Sequence, residues 1–548
     1  KDPEIAGELT FATKNVNAYI SFEKRYGEFK SNGGGSVIEF PQNQYICYME
    51  EFKWYMDNDD IELSAGEAEA QDASGVKLEG SQFISIHPEQ DSLSFYSPKA
   101  RYDVRKHIIQ CNDVKYINVA DAMIYPDSGL VIIDKKAKMR TLENARIVAN
   151  YITQYHNMYN ATVNVFGKRS YAGSAYIDYV DELDEKQTIY LQTVGVDTTG
   201  QTIANGVISD TAHFTLSPHY DYQGKVNLYG SLEELTFKGY ARMKHDCEMC
   251  KPEWFSFNSA INPKEIYIPV DSNTKDISGN KLIASVLLSS DSLGAYTAFL
   301  NRKLGYSHTE MLRSTGYLYF DKNFEEYKIA SRDKIQEMSF GGNYLSLNTK
   351  NCKVYGEGKI NLGNNTGQVK IDAAGNIIQN TIDKETLIEA LMMIDFYFND
   401  AALEKMAKHM LEIADAEPTK TDDPTYEKGL RELLGKETAD KLLAQASLYG
   451  SFKKIPSELQ KSLVLNKVKF KWNQETKSYI SFGKIGIGNI LKEQVNRYFT
   501  GKIEIIKKRS GDVVNIYIEL DPNNWYFFTY QRGMMQTISS NDEYNTII

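Results

Sequence analysis

Val514-Asn515-Ile516-Tyr517-Ile518-Glu519-Leu520 alternates apolar and polar side chains without a slip. A period of two puts Val514, Ile516, Ile518 and Leu520 on one face of an extended chain, as a half-buried strand requires. Upstream, Arg509-Ser510-Gly511 reverses the chain against residues 503–508. Downstream, Asp521-Pro522-Asn523-Asn524 turns into residues 525–530, and Arg532-Gly533 turns again. Together these signals predict an antiparallel meander over residues 466–548, with one helix at 490–498.

The same chemistry fills residues 9 to about 378: five to nine residues rich in Val, Ile, Tyr, Phe and Thr, then a Gly, Pro, Asn or Asp turn. Val76-Lys77-Leu78-Glu79-Gly80, Phe83-Ile84-Ser85-Ile86 and Leu93-Ser94-Phe95 read as three short strands separated by Gly80, Pro88 and Pro98. Residues 114–124 and 130–133 add two more around Pro126-Asp127-Ser128-Gly129. Val163 and Val165, Val226 and Leu228, and Leu235 and Phe237 each alternate with polar neighbours, which predicts antiparallel sheets with one buried face. Pro263 and Pro269 bracket an edge-type strand and mark a domain edge.

Helical spacing appears only between about residues 384 and 465. Leu387, Leu391, Ile394 and Phe398 step by four, three and four, with Asp383 as N-cap. Asp423-Pro424 starts a second helix that Gly435 ends; residues 439–449 form a third, stopped by Gly450; residues 456–463 form a short fourth. The resulting fold class is mainly β: stacked, jelly-roll or sandwich-like antiparallel sheets, a small helical insertion and a C-terminal meander. The segments are 1–150, 151–270 and 271–380 (β-rich), 381–465 (helical block) and 466–548 (meander). A helical block interrupting a strand pattern predicts a partner contact there.

The 548 residues hold 42% hydrophobic and 25% charged side chains, enough for a sizeable core. A net charge of −11 argues against a nucleic-acid footprint, which wants a basic stripe, and against an anionic membrane surface. No stretch approaches the roughly 20 apolar residues of a membrane-spanning helix. The chain opens on Lys1-Asp2-Pro3-Glu4 rather than Met, which predicts either a processed leader or a piece of a longer protein. Thirty-seven tyrosines suit strand faces at a solvent boundary; clustered, they would make an aromatic platform for sugars.

Reaction chemistry is sparse. His245-Asp246-Cys247-Glu248-Met249-Cys250 is the best metal or redox candidate. A zinc site there needs two more ligands, with His213, His219 and Cys352 as the candidates to converge, so a disulfide or a plain thiol pair at Cys247 and Cys250 is favoured over metal. Cys47 and Cys111 complete an odd set of five cysteines. Asp271-Ser272-Asn273-Thr274-Lys275-Asp276, Asp57 to Asp60 and Asp181 to Glu185 resemble calcium loops, but acidic turns between strands explain them better. Ser31 to Ser36 is a flexible glycine loop without the Lys-Ser/Thr of a phosphate cradle. Gly483, Gly486 and Gly488 fit close strand packing better than a dinucleotide fold. Asp395 is either a buried acid or part of a solvated helix face. No catalytic or cofactor-binding residue is assigned, no cofactor is implied, and metal binding stays open.

Four phrases form a set: 119–129 (VADAMIYPDSG), 144–150 (NARIVAN), 342–351 (GNYLSLNTKN) and 426–435 (YEKGLRELLG). Together they resemble a family of large cell-envelope proteins of Bacteroidota. The resemblance implies an exported parent protein but supplies no catalytic residues. Residues 91–103 and 108–114 also resemble the rhythm of OstA-like lipopolysaccharide-transport repeats, whose stacked strands form an open jelly roll with an apolar interior. These resemblances imply a non-enzymatic envelope scaffold or transport component at the outer membrane, handling lipid or lipopolysaccharide, with other envelope proteins, lipid or glycan as partners. A surface module recognising glycan or polypeptide through Tyr-rich strand faces is the first alternative. A hydrolase with paired carboxylates is the second.

Overall fold

The computed structural model describes residues 9–548 except 34, 35, 49, 65–68, 72–76, 290–292 and 421. Strands hold 52% of the chain and helices 12%, so the fold is mainly β, with large antiparallel sheets in a sandwich-like arrangement. The chain divides into two compact units: residues 1–217, 222–239 and 258–265, and residues 218–221, 240–257 and 266–548. One division falls between Glu265 and Ile266, inside the stretch bracketed by Pro263 and Pro269.

The first unit begins as a two-sheet stack in which successive hairpins swap sides. Val16–Ser21 with Tyr26–Ser31, Glu51–Tyr55 with Asp60–Ser64, and Lys99–Asp103 with Ile108–Asn112 build a seven-stranded sheet closed by Val131–Ile133. Val37–Phe40 with Tyr45–Tyr48, Ser81–Ser85 with Ser94–Ser97, and Ile117–Val119 with Ala122–Tyr125 build the larger, sixteen-stranded one. Residues 114–124 thus hold two short strands rather than one, and the Val131–Ile133 strand beyond their turn belongs to the other sheet. Val76, Gly34 and Gly35 lie outside the described residues.

Alternation drives this packing. Ile38, Phe40, Tyr45, Cys47, Phe83 and Phe95 point in from one sheet, and Phe52, Ile61, Tyr102, Ile109 and Cys111 from the other. The Phe40 and Tyr102 rings meet at 4.7 Å. The space between the sheets is filled by side chains.

From Leu142 the chain stays in the large sheet as a meander: Leu142–Ala149, His156–Gly167, Ser170–Val180, Lys186–Val196, Thr202–Ile208, Tyr220–Tyr229, Leu235–Met243 and Phe255–Ile261. The sheet runs through residue 150 without a break, since Ala149 pairs with His156.

The second unit carries a fourteen-stranded sheet and a buried three-stranded one, Ile283–Leu288, Ala295–Asn301 and Thr309–Ser314. Its helices are α1 (Arg332–Gln336), α2 (Asp400–Glu412), α3 (Pro424–Leu434), α4 (Lys436–Tyr449) and α5 (Asp542–Ile547). The meander at its end folds as its turns predict, with Ile506 opposite Val513, Asp521 opposite Asn524 and Gln531 opposite Met534.

Three helix expectations fail. Residues 385–395 are a strand paired along its length with Lys370–Asn380 and Leu463–Asn473, so the Leu387–Leu391–Ile394 spacing is a buried central strand, apolar on both faces. Residues 456–463 hold only the short turn Ser457–Leu459 before the Leu463 strand begins. Residues 490–498 lie in strands Ile485–Ile490 and Glu493–Ile506 and the two-residue turn between them.

The remaining helices cover the sheet. Tyr426, Leu430, Ala439, Leu442 and Ala446 join Leu391, Met393 and Val464 in one core. A Cβ on Gly429 would stand 2.7 Å from the Leu391 Cβ, so α3 lies tightly on the strand. The buried faces of α3 and α4 pack on their own sheet, while Leu411, Leu448 and Tyr449 stay exposed on α2 and α4.

Candidate functional site

Three neighbouring strands of the first unit put one tyrosine each at the same level of an outer face. Tyr159 of His156–Gly167 is opposite Tyr176 of Ser170–Val180, and Tyr176 is opposite Tyr190 of Lys186–Val196. The Tyr159 and Tyr176 rings stack at 6.3 Å between centroids, and the Tyr176 and Tyr190 rings lie tilted against each other at 4.9 Å. Alternation dictates the exposure: Ala175 and Ile177 flank Tyr176, Ile189 and Leu191 flank Tyr190, and all four are buried. Tyr176 is 36% exposed and Tyr190 42%, high for rings of this size in mid-strand. On the opposite face Tyr179 packs edge-on against Phe237, and its hydroxyl donates to Leu216 O at 2.8 Å.

The turns set the register. Residues 181–185, weighed above as a cation loop, form the reversal that pairs Val180 with Lys186. The Asp181 carboxylate accepts from the Leu183 and Glu185 amides at 2.8 and 3.0 Å. Asn160, in the left-handed region at φ 45°, bulges the first strand and resets its alternation so that Tyr159 faces outward while Met158 and Ala161 stay buried.

Asp178 anchors the row. It accepts from the Tyr159 hydroxyl at 2.7 Å and pairs with the Lys186 ammonium at 2.5 Å. Burial pulls its carboxyl upward, but the hydrogen bonds from Lys186 and Tyr159 and the Lys186 charge win and hold it below the usual carboxylate range.

At the strand ends beside the row opens a cleft of about 460 Å³, lined among others by Arg146, Tyr155, Tyr159, Asp178, Glu233 and Glu234. The Arg146 guanidinium lies 3.8 Å over the Tyr125 ring, which fixes it at the rim. His156 contacts Leu232 O at 2.7 Å through Nε2, and burial lowers its pKa despite that bond. The site therefore offers a row of partly exposed tyrosine rings next to charges of both signs.

The sequence-level candidates are placed as follows. Cys247 is bonded to Cys352, 105 residues away, and not to Cys250, which is a buried free thiol pushed up to about 12 by burial. The expected Cys247–Cys250 pair is thereby corrected: the partner had been weighed only as a metal ligand. His213 follows the short turn Asp210–Ala212, and His219 stacks on Phe320 at 3.6 Å. Among the described residues no group of three or more His, Cys, Asp or Glu side chains could hold a metal ion.

Asp57 pairs with Arg25, Asp59 with Arg105 and Asp60 with Arg101; Asp276 pairs with Arg302, and Asp184 with Lys264. Asp395 ends a strand, 3.2 Å from Lys461. Gly486 and Gly488 lie in a strand where a Cβ would stand 2.9 Å from the Tyr498 ring and 2.0 Å from Asn466 Oδ1, respectively, so close packing explains both. Sequence reasoning flagged tyrosine abundance but singled out none of Tyr159, Tyr176 and Tyr190; their shared level needs the register of two hairpins. Comparison with protein-family models and with curated proteins finds no match for this chain.

Proposed function

We propose that this is an exported, non-catalytic cell-envelope protein whose strand stack is a scaffold and whose Tyr159–Tyr176–Tyr190 row binds the sugar portion of a surface glycan or lipopolysaccharide. The observation that carries the reading is the registered tyrosine row beside a charged cleft. A pyranose packs its apolar C–H groups against exposed aromatic carbon, while its hydroxyls require polar partners such as Arg146, Glu233 and Glu234. Neighbouring strands stand about 4.8 Å apart, so a row across strands presents successive rings to successive sugars. The Cys247–Cys352 disulfide supports export to an oxidising compartment.

The filled interior of the two-sheet stack, with Phe40 against Tyr102, leads the proposal away from an acyl-chain conduit. A hydrolase would draw on Asp178, Glu233 and Glu234, which line one cleft. Asp178 is held ionised by Lys186 and is unsuited to the general-acid role.

A glycan array probed with the whole chain and with Tyr176→Ala tests the reading. Binding to a defined oligosaccharide class that the variant loses is expected. An array without hits, or hits unchanged by the substitution, would refute it.

A further inference from the structure

Lys507 is an unusual lysine. It directly follows the Glu493–Ile506 strand, its side chain only 7% exposed, under the Tyr479 ring at 5.8 Å. Tyr479 is fully buried, and its hydroxyl has no hydrogen-bond partner among the described residues. The amine therefore faces an aromatic ring on that side.

On the other side the Lys507 Nζ meets three oxygens. Asp512 Oδ2 lies at 2.8 Å, Gly363 O at 2.7 Å and the Asn364 side-chain Oδ1 at 3.3 Å. Asp512 is itself 4% exposed and is fixed by the Asn365 amide at 2.9 Å and the Lys508 amide at 3.3 Å. In return the Asp512 amide donates to Asn365 O at 2.9 Å, so the loop carrying Asn364 is held onto the hairpin turn.

A buried primary amine, a side-chain carboxamide and a carboxylate within hydrogen-bond reach of the amine are the parts of an amide-exchange reaction. We propose that Lys507 and Asn364 form an intramolecular isopeptide bond, with Asp512 as the proton carrier. The Lys507 ammonium passes a proton to the Asp512 carboxylate. The neutral Nζ attacks Asn364 Cγ, and the new C–N bond forms as the carbonyl π pair moves to Oδ1. Asp512 returns its proton to the departing nitrogen, and the C–Nδ2 bond breaks. The amine's second proton leaves with the ammonia, as ammonium. One ammonium ion is released, Asp512 ends as a carboxylate, and no oxidant or cofactor takes part.

Three physical features favour the step. Burial outweighs the Asp512 contact and lowers the Lys507 pKa, which favours the neutral nucleophile. The Asn364 carboxamide is held against the amine by its Oδ1 at 3.3 Å, which places Cγ one bond beyond and leaves only a short approach to bonding distance. The carboxylate sits where a general base must, on the proton it removes. The product would tie two points 143 residues apart, a covalent brace within one sheet of an envelope scaffold.

The test is the intact mass of the purified full chain, denatured and reduced, followed by a peptide map. The expected mass is one ammonia below the sequence value, with a branched peptide joining Lys507 to Asn364. Asn364→Ala, on a partly exposed loop, and Asp512→Asn should both return to their own sequence masses, with folding checked by circular dichroism. A native chain at full sequence mass would overturn the proposal. So would an ammonia loss mapped to a peptide lacking either residue. A branched peptide persisting in Asp512→Asn would overturn the carrier role.

Discussion

Tyr176 is the middle ring of the row and touches both neighbours, so it should contribute most to any stacked ligand. Its truncation to Ala should weaken oligosaccharide binding roughly tenfold, equivalent to ~1.4 kcal/mol, in a calorimetric titration. Tyr159→Phe keeps the ring and loses the hydroxyl bond to Asp178, so a smaller loss is expected. Glu357 illustrates the structural counterpart. It is 1% exposed and holds both Lys334 at 2.5 Å and Lys428 at 2.6 Å. Glu357→Gln leaves two ammonium groups without their carboxylate and should cost about 3–5 kcal/mol in a urea titration. Burial raises the Glu357 carboxyl, yet its two lysines outweigh that and set its folded pKa below the ordinary 4.5. Its contribution is therefore complete above pH 4.5 and fades as pH falls through the lower, folded value.

Helix α3 shows what local sequence can specify. Asp423 accepts from the Thr425 and Tyr426 amides at 2.9 and 3.4 Å and also pairs with Lys467 at 2.5 Å. Asp423→Ala should cost about 1–2 kcal/mol through the lost cap alone, read as a lower midpoint of thermal unfolding. Asp423-Pro424, Gly435 and Gly450 were legible because capping is chemistry within a few residues. The strand at 385–395 was not, because a central strand buried on both faces gives apolar residues at every spacing, the helical one included. Many hairpins were also hidden. Arg25, Gln44, Asp59, His107, Glu325 and Lys477 take the left-handed position of their turns, at φ between 51° and 56°, where glycine is the usual signal. The tyrosine row fell in the same gap: each strand was legible, but the register that aligns them is a property of the sheet.

Across the molecule, covalent and electrostatic restraints set stability. The Cys247–Cys352 bond closes a separation of 105 residues within the second unit. Cys352→Ser, or reduction of the native chain, should lower stability by about 4.7 kcal/mol on the chain-entropy account, seen as an earlier calorimetric transition. Next to it His245 is held neutral: burial lowers its pKa from 6.5 to about 4, and its Nε2 has no hydrogen bond among the described residues. The unfolded chain binds that proton first, so the whole effect is absent above pH 6.5. Stability should fall between pH 6.5 and about 4, by about 2 kcal/mol after allowance for solvent screening, and His245→Phe should flatten that slope. Neither restraint bears on what the outer face binds. The central claim concerns that face, and the most direct test is a crystal structure of the chain with the oligosaccharide that ranks first on the array. The account predicts sugar units packed along the exposed rims of Tyr159, Tyr176 and Tyr190, with hydroxyl contacts reaching Arg146 or the Glu233–Glu234 pair. An ordered oligosaccharide bound elsewhere, with the tyrosine row bare, would contradict it.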